Sequence, residues 1–244
     1  MASAVSSAVE AAATQIARTV HPYYPVDLIL DHYVANTYSM KDTLTLLFAT
    51  FGTITVGSLA LSHQKRNSTL KGLSSQLTFL WFVMCGFIHL FLEGYFGIYH
   101  KTLAGDSAPL AQVWKEYALS DSRYLSSDSF VLIMERITAF AWGPLAFYTA
   151  YAMYHNSPSR HIAQLIISLG QLYGCTLYYL TTIVEGSPHC DPHPYYYYFY
   201  FGFFNIFWML LPTILMHNSI KHLYRAMKLV HQNEAVAAKV KKIN

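Results

Sequence analysis

The stretch LTFLWFVMCGFIHLFLEGYFGIY, residues 77–99, determines the structural class of this chain. An α-helix needs about 20 consecutive, mainly apolar residues to cross the hydrocarbon core of a bilayer. This stretch is long enough, and His89 and Glu93 are its only histidine and acidic side chains. We therefore predict that residues 77–99 form a membrane-spanning helix.

Four further stretches have the same apolar character. They are residues 42–62, 130–154, 162–184 and 195–217. Pro144 and Pro212 lie inside two of them, which is acceptable because neighbouring helices satisfy the backbone groups that proline frees. We predict an all-α, polytopic membrane protein built as a bundle of five transmembrane helices.

The composition supports this class. Of the 244 residues, 54% are hydrophobic and only 12% are charged, and the mean hydropathy is +0.26. Soluble domains carry about 25% charged residues, and disordered chains combine low hydrophobicity with high charge, so both classes are excluded. The net charge of +3 gives no reason to expect nucleic acid as a partner. Cys85, Cys175 and Cys190 are scattered and form neither a metal-binding nor a disulfide pattern.

The chain divides into three parts. Residues 1–41 are predicted to be an N-terminal tail and interfacial segment, residues 42–217 the transmembrane domain, and residues 218–244 a basic tail. The first 20 residues are rich in Ala and Ser and lack the basic start and apolar centre of a cleavable signal peptide.

Basic residues predict the orientation of the bundle. One side of the predicted bundle carries Lys65, Arg66, Lys71, Arg160, Lys221, Arg225, Lys228, Lys239, Lys241 and Lys242. Cytosolic loops are enriched in Lys and Arg, so we predict a cytosolic C-terminus and a lumenal N-terminal segment. Lys241 and Lys242 also resemble a dilysine signal for retrieval to the endoplasmic reticulum membrane. The alternative is a solvated tail attracted to anionic lipid.

Ionisable side chains inside membrane spans are costly and usually mark function. His89 and Glu93 are four residues apart and therefore share one helix face, where such a pair can hold and move a proton. Glu135, Thr138 and Trp142 share a face of the third span. The alternatives are a polar pair that joins two helices and a structural ion pair at Glu135.

Asn205 and Trp208 share a face of the fifth span. Trp is the best aromatic partner for a cation, and Asn205 is expected to orient a carboxyl group. The alternative is that both residues only pack and bridge helices. We predict that His89, Glu93, Glu135 and Asn205 line one cavity. The sequence has no HEXXH, dinucleotide-binding or phosphate-binding motif, so metal, redox and ATP-driven chemistry are unsupported.

Several blocks resemble a known family. They are IHLFLEGYF (88–96), WKEYALSDSRYLSSDSF (114–130), MERITAFAWGPL (134–145), GQLYGCTLYYLT (170–181) and FNIFWMLLP (204–212). Together they resemble the emopamil-binding protein family of the EXPERA superfamily, the sterol Δ8–Δ7 isomerases of the endoplasmic reticulum. The resemblance implies five transmembrane helices, a homodimer, a sterol substrate drawn from membrane lipid, and no cofactor.

The resemblance also implies a reaction and a set of site residues. The family moves a ring double bond from the 8(9) to the 7(8) position by protonation at C-9, a carbocation at C-8 and proton loss from C-7. The matching catalytic positions are His89, Glu93, Glu135, Asn205 and Trp208. The matching substrate-binding positions are Thr138, Tyr124 and Asp128, and we expect Trp142 to help hold the flat sterol.

Two positions depart from the family pattern. Cys175 stands where an Asp is expected, and Arg136 stands where a neutral Thr is expected, so the local electrostatics differ. Because an ammonium group mimics a carbocation, such a cavity should also bind cationic amphiphilic inhibitors. The alternative function is a non-catalytic membrane protein that binds sterols or sigma-type ligands.

Overall fold

A computed structural model describes residues 20–30, 32–66 and 68–241 of the protein. The tail predicted for residues 1–19, and Lys242 of the predicted retrieval signal, lie outside the described residues. Seven helices follow in chain order. They are α1 (Met40–Gln64), α2 (Gly72–Tyr99), α3 (Pro109–Tyr117), α4 (Arg123–Ser126), α5 (Ser129–Tyr154), α6 (Arg160–Val184) and α7 (Tyr195–Lys241). Leu103–Gly105 forms a short 3-10 turn, and the described residues contain no strand.

Four of these helices are long and apolar enough to cross a membrane. Within the described residues these are α1, α2, α5 and α7, whose most apolar stretches have mean hydropathies of 1.4 to 1.8. The chain is therefore an all-helical membrane protein. Helix α6 is also long, at 25 residues, but it is less apolar because it buries Gln164, Ser168 and Gln171 against its neighbours. The five-span count stays a prediction.

Local sequence signals set the ends of the helices. Ser39 and Asp42 form a reciprocal capping box that starts α1. Asp128 starts α5 by accepting a hydrogen bond from the backbone N–H of Val131 at 2.9 Å. A side-chain oxygen at this position satisfies an N–H group that otherwise has no partner in the first helical turn.

Three of the long helices change from α- to π-helical geometry for part of their length. The segments are Ile88–Glu93 in α2, Thr138–Trp142 in α5 and Tyr195–Phe203 in α7. The first two pack directly against each other. Short π segments inside α-helices occur frequently at functional sites. His89, Glu93 and Thr138 all belong to them, so the irregular backbone coincides with the predicted site.

A cap closes the end of the bundle where α2 ends and α5 begins. It consists of residues 20–39 without Asp31, together with residues 103–127. The Lys115 ammonium donates to the Val34 carbonyl at 2.7 Å, and Gln112 accepts hydrogen bonds from the backbone N–H groups of Thr37 and Tyr38. A buried ion pair joins Arg123 to an acidic neighbour, Asp121, at 2.7 Å, and Arg123 also donates to Thr182 of α6. These contacts attach the cap firmly to the helices.

Two glycines of α6 give a stability prediction. A Cβ on Gly170 would lie 2.6 Å from the Trp142 ring, whereas a Cβ on Gly174 would meet nothing within 4 Å. We therefore expect Gly170→Ala to destabilise the fold by about 1–3 kcal/mol, the usual cost of overpacking. Gly174→Ala is the matched control and should be neutral or slightly stabilising. Thermal unfolding of both variants in detergent tests this, and equal stability would contradict it.

Candidate active site

A cleft with about 490 Å³ of empty space, part of it open to the outside, lies between α2, α5, α6 and α7 and beneath the cap. It is lined by His89, Glu93, Tyr124, Met134, Glu135, Thr138, Gly170, Gln171, Gly174, Cys175, Tyr178, Asn205 and Trp208. The predicted common cavity for His89, Glu93, Glu135 and Asn205 is thus present.

His89 lies at the centre of a polar chain across the cleft. Its Nδ1 is 2.8 Å from a carboxyl oxygen of Glu93, and its Nε2 is 3.0 Å from the amide nitrogen of Gln171. The His89 residue is only 2% exposed, whereas the Glu93 side chain retains 13% exposure. The pair predicted from the four-residue spacing is therefore formed, and Glu93 is its more accessible member.

Glu135 supplies a second carboxyl group. The Tyr124 hydroxyl donates to Glu135 Oε1 at 2.6 Å, and the Glu93 carboxyl is close enough to interact electrostatically with Glu135. Burial, and then the neighbouring Glu135 carboxyl, raise the pKa of Tyr124 well above its ordinary value. The Tyr124 hydroxyl therefore stays protonated and remains a donor to Glu135.

Aromatic rings close the side of the cleft formed by α7. The Trp208 ring lies against the His89 ring with centroids 5.0 Å apart, and Trp81 supports Trp208 from behind at 5.1 Å. We expected Asn205 to orient a carboxyl group. Its amide instead donates to the Tyr117 hydroxyl at 3.0 Å and to the Phe201 carbonyl at 2.8 Å.

Seven of the nine predicted site residues line the cleft, and two do not. Asp128 is the N-cap of α5, and its carboxyl accepts a backbone hydrogen bond there. Trp142 lies beneath Gly170 and shapes the floor of the cleft from below. Thr138 faces the cleft, but its hydroxyl donates to the Met134 carbonyl of its own helix at 2.8 Å.

The two departures from the family pattern have different surroundings. Arg136 points away from the cleft and donates to the Gly97 carbonyl of α2 at 2.9 Å. This agrees with the expectation that it faces a neighbouring helix. Cys175 lines the cleft as a free, buried thiol that donates to the Asn205 carbonyl at 3.4 Å.

Three further residues of the site region carry polar groups to which the sequence assigned no role. Gln171 contacts His89, the Tyr178 hydroxyl lines the cleft, and Tyr117 of the cap contacts Asn205. A signal existed for Gln171, because it is a polar residue within a predicted span. None existed for Tyr117, which reaches the site only because the cap folds over it.

The donor set does not resemble a metal centre. Within the residues that the structure describes, no group of three or more His, Cys, Asp or Glu side chains could hold a metal ion. The arrangement consists instead of two proton-handling units, the His89–Glu93 pair and Glu135, in a cleft with aromatic walls. Such a site can transfer protons to and from an apolar substrate.

The fold and the site together define a helical membrane protein with buried acid–base groups. Comparison with known proteins is specific. A family model described as EXPERA (EXPanded EBP superfamily) matches residues 109–219. The 3-beta-hydroxysteroid-Delta(8),Delta(7)-isomerase of Cavia porcellus is 43% identical over 88% of this chain and 93% of its own length.

Plant relatives extend the comparison. A probable 3-beta-hydroxysteroid-Delta(8),Delta(7)-isomerase of Arabidopsis thaliana is 35% identical over 91% of this chain and 96% of its own. An isomeliandiol synthase of Ailanthus altissima is 31% identical over 80% and 89%. This chain therefore belongs to the EXPERA family, and the resemblance seen in its sequence blocks is confirmed.

Proposed function

We propose that this protein is a cofactor-independent sterol isomerase that moves a ring double bond from the 8(9) to the 7(8) position. The observation that carries the proposal is the pairing of His89–Glu93 with Glu135 in one cleft. The names of the relatives at 35% to 43% identity support the same substrate class and reaction.

The reaction requires two proton transfers on neighbouring carbons. A proton adds to C-9, the positive charge forms at C-8, and a proton then leaves C-7, so that the substrate neither gains nor loses atoms. Glu135 and the His89–Glu93 pair share the donor and acceptor roles. Burial favours the protonated form of a carboxyl group, which a proton donor must have. A carboxylate paired with His89 can accept the returning proton.

The carbocation needs stabilisation that does not quench it. The π-face of Trp208 attracts positive charge without acting as a nucleophile. Its position against His89 keeps that face beside the proton-transfer groups. Tyr124 holds Glu135 by a hydrogen bond at 2.6 Å, which fixes the position of that carboxyl.

The membrane setting follows from the same proposal. We propose that α6 is a fifth span, that the C-terminus is cytosolic, and that the protein lies in the endoplasmic reticulum membrane as a homodimer. The exposed basic residues of α7 support the orientation. Cationic amphiphiles should compete with the sterol, because an ammonium group resembles the C-8 cation.

Turnover with purified protein tests the function directly. The protein is incubated with an 8(9)-ene sterol in deuterated buffer without any cofactor, and the sterols are analysed by mass spectrometry. We expect a 7(8)-ene product that carries one solvent deuteron at C-9. Saturable sterol binding without conversion, in a demonstrably folded sample, would support the alternative of a non-catalytic binding protein.

A further inference from the structure

The Gln171 side chain occupies an unusual position beside the imidazole. It is only 6% exposed, and its amide nitrogen lies 3.0 Å from His89 Nε2. In the described part of the chain, its amide oxygen is buried and has no hydrogen-bond partner. The nearest other polar side chain is the thiol of Cys85, which is a weak donor. A buried amide oxygen without a partner is costly and calls for an explanation.

A primary amide can meet two different chemical needs at one place. Its NH₂ end donates to an unprotonated ring nitrogen, and its oxygen end accepts from a protonated one. The terminal torsion of Gln is soft and roughly two-fold, so the two ends exchange easily. Around Gln171 no hydrogen bond holds the oxygen in either orientation.

The two protonation states of His89 need these two ends. In the neutral ring, Nδ1–H donates to Glu93 and Nε2 accepts from the Gln171 NH₂ group. When the His89–Glu93 pair takes up a proton, the imidazolium carries hydrogen on both nitrogens. Nε2–H then requires an acceptor, and the Gln171 oxygen supplies one after the amide turns.

We propose that Gln171 is a positioning residue that holds the His89 ring against Glu93 in both protonation states by turning its amide. This assignment deepens the proposed function, on which its kinetic part rests. Gln171 does not exchange protons itself. It prevents the ring from rotating away from Glu93 during each proton transfer.

The other groups near His89 do not replace this role. Glu93 and Cys85 of α2 lie on its own helix, Glu135 of α5 acts through Glu93, and α7 presents only the uncharged ring of Trp208. The thiol of Cys175 on α6 donates to Asn205 instead. Gln171 is therefore the only residue with a hydrogen bond to Nε2 among those that the structure describes.

The test compares two glutamines of the same helix. Gln171→Met removes both hydrogen-bonding ends at similar volume. Gln164→Met is the matched control, because Gln164 is also buried, lies two turns away and donates to the Leu215 carbonyl at 2.9 Å, outside the cleft. Both variants are made in the full-length protein. Histidine is labelled with ¹⁵N, and the His89 signals are assigned by their absence from a His89→Gln variant.

For Gln171→Met we expect the ¹⁵N signals of His89 to shift as the ring loses its Nε2 partner. We also expect kcat to fall roughly 10- to 100-fold, the usual effect of losing a hydrogen bond to a charged group, with KM changed less than about twofold. Gln164→Met should leave the His89 signals and kcat unchanged. The ¹⁵N comparison tests the assignment even if the wild-type protein shows no sterol turnover, which would overturn the proposed function alone.

Three outcomes would overturn the assignment. Unchanged His89 signals in Gln171→Met would show that Gln171 does not hold the ring. A fall in kcat with unchanged signals would place its action on the substrate instead. Equal losses in Gln171→Met and Gln164→Met would reduce its role to helix packing.

Discussion

Glu135→Gln is expected to lower kcat by roughly 10²- to 10⁴-fold, the usual contribution of a general acid or base. Glutamine has nearly the same shape, and its amide oxygen can still accept the hydrogen bond from Tyr124. The substitution therefore removes the proton that Glu135 exchanges while keeping the contact that positions it. Conversion of the 8(9)-ene sterol by wild-type and variant protein measures the loss.

Glu116→Gln is the control for this substitution. Glu116 is a partly buried carboxyl of the cap that accepts a hydrogen bond from Tyr200 at 3.3 Å and does not line the cleft. Burial raises the pKa of Glu116, so it resembles a buried acid without being near the substrate. Its replacement should leave turnover nearly unchanged. Full activity of Glu135→Gln would exclude Glu135 from both proton transfers.

Trp208→Ala is expected to reduce kcat by roughly 30-fold or more, because a desolvated cation–π contact contributes about 2 kcal/mol. Trp208→Phe keeps a weaker π-face and should lose less, about three- to tenfold. The order of the two losses distinguishes stabilisation of the carbocation from simple packing. Steady-state kinetics of both variants with the same sterol provide the measurement.

Trp81→Phe controls for damage to the aromatic wall. Trp81 contacts Trp208 with ring centroids 5.1 Å apart but does not line the cleft. Its replacement should change kcat by less than about twofold, since Trp81 supports the wall without facing the cation. If Trp208→Phe and Trp208→Ala lost activity equally, the π-face would have no special role.

Contacts within one helix could be predicted from sequence spacing alone. Residues four apart on a helix face the same way, which correctly paired His89 with Glu93. The predicted span 130–154 differs from the observed Ser129–Tyr154 by one residue at its start. Continuous apolar stretches bounded by polar loops explain this accuracy.

Contacts between helices could not be predicted in the same way. The approach of Gln171 to His89 depends on how α6 is rotated against α2, and no spacing rule fixes that rotation. Helix α6 also shows the limit of hydropathy. Its buried polar residues face other helices rather than lipid, so a low mean hydropathy does not describe its outer surface.

One residue was assigned by resemblance where a local rule was available. Asp128 immediately precedes α5, and Asp is among the residues most favoured as an N-cap. That rule would have predicted the hydrogen bond to Val131 N–H that the structure shows. A helix-capping role accounts for Asp128 without any contact to the substrate.

The π segment of α2 has a consequence for mutation by insertion and deletion. A π-helical turn contains more residues than an α-helical turn, so loss of one residue within Ile88–Glu93 would favour regular α-helix. Each residue of an α-helix corresponds to about 100° of rotation, so the rest of α2 would turn away from its present neighbours. The Leu92 carbonyl, which now accepts from the Trp114 indole at 2.9 Å, would lose that partner. In genetic terms, loss of a single codon here should be more harmful than most missense changes, because segment length sets the angle between Glu93 and the residues that follow it.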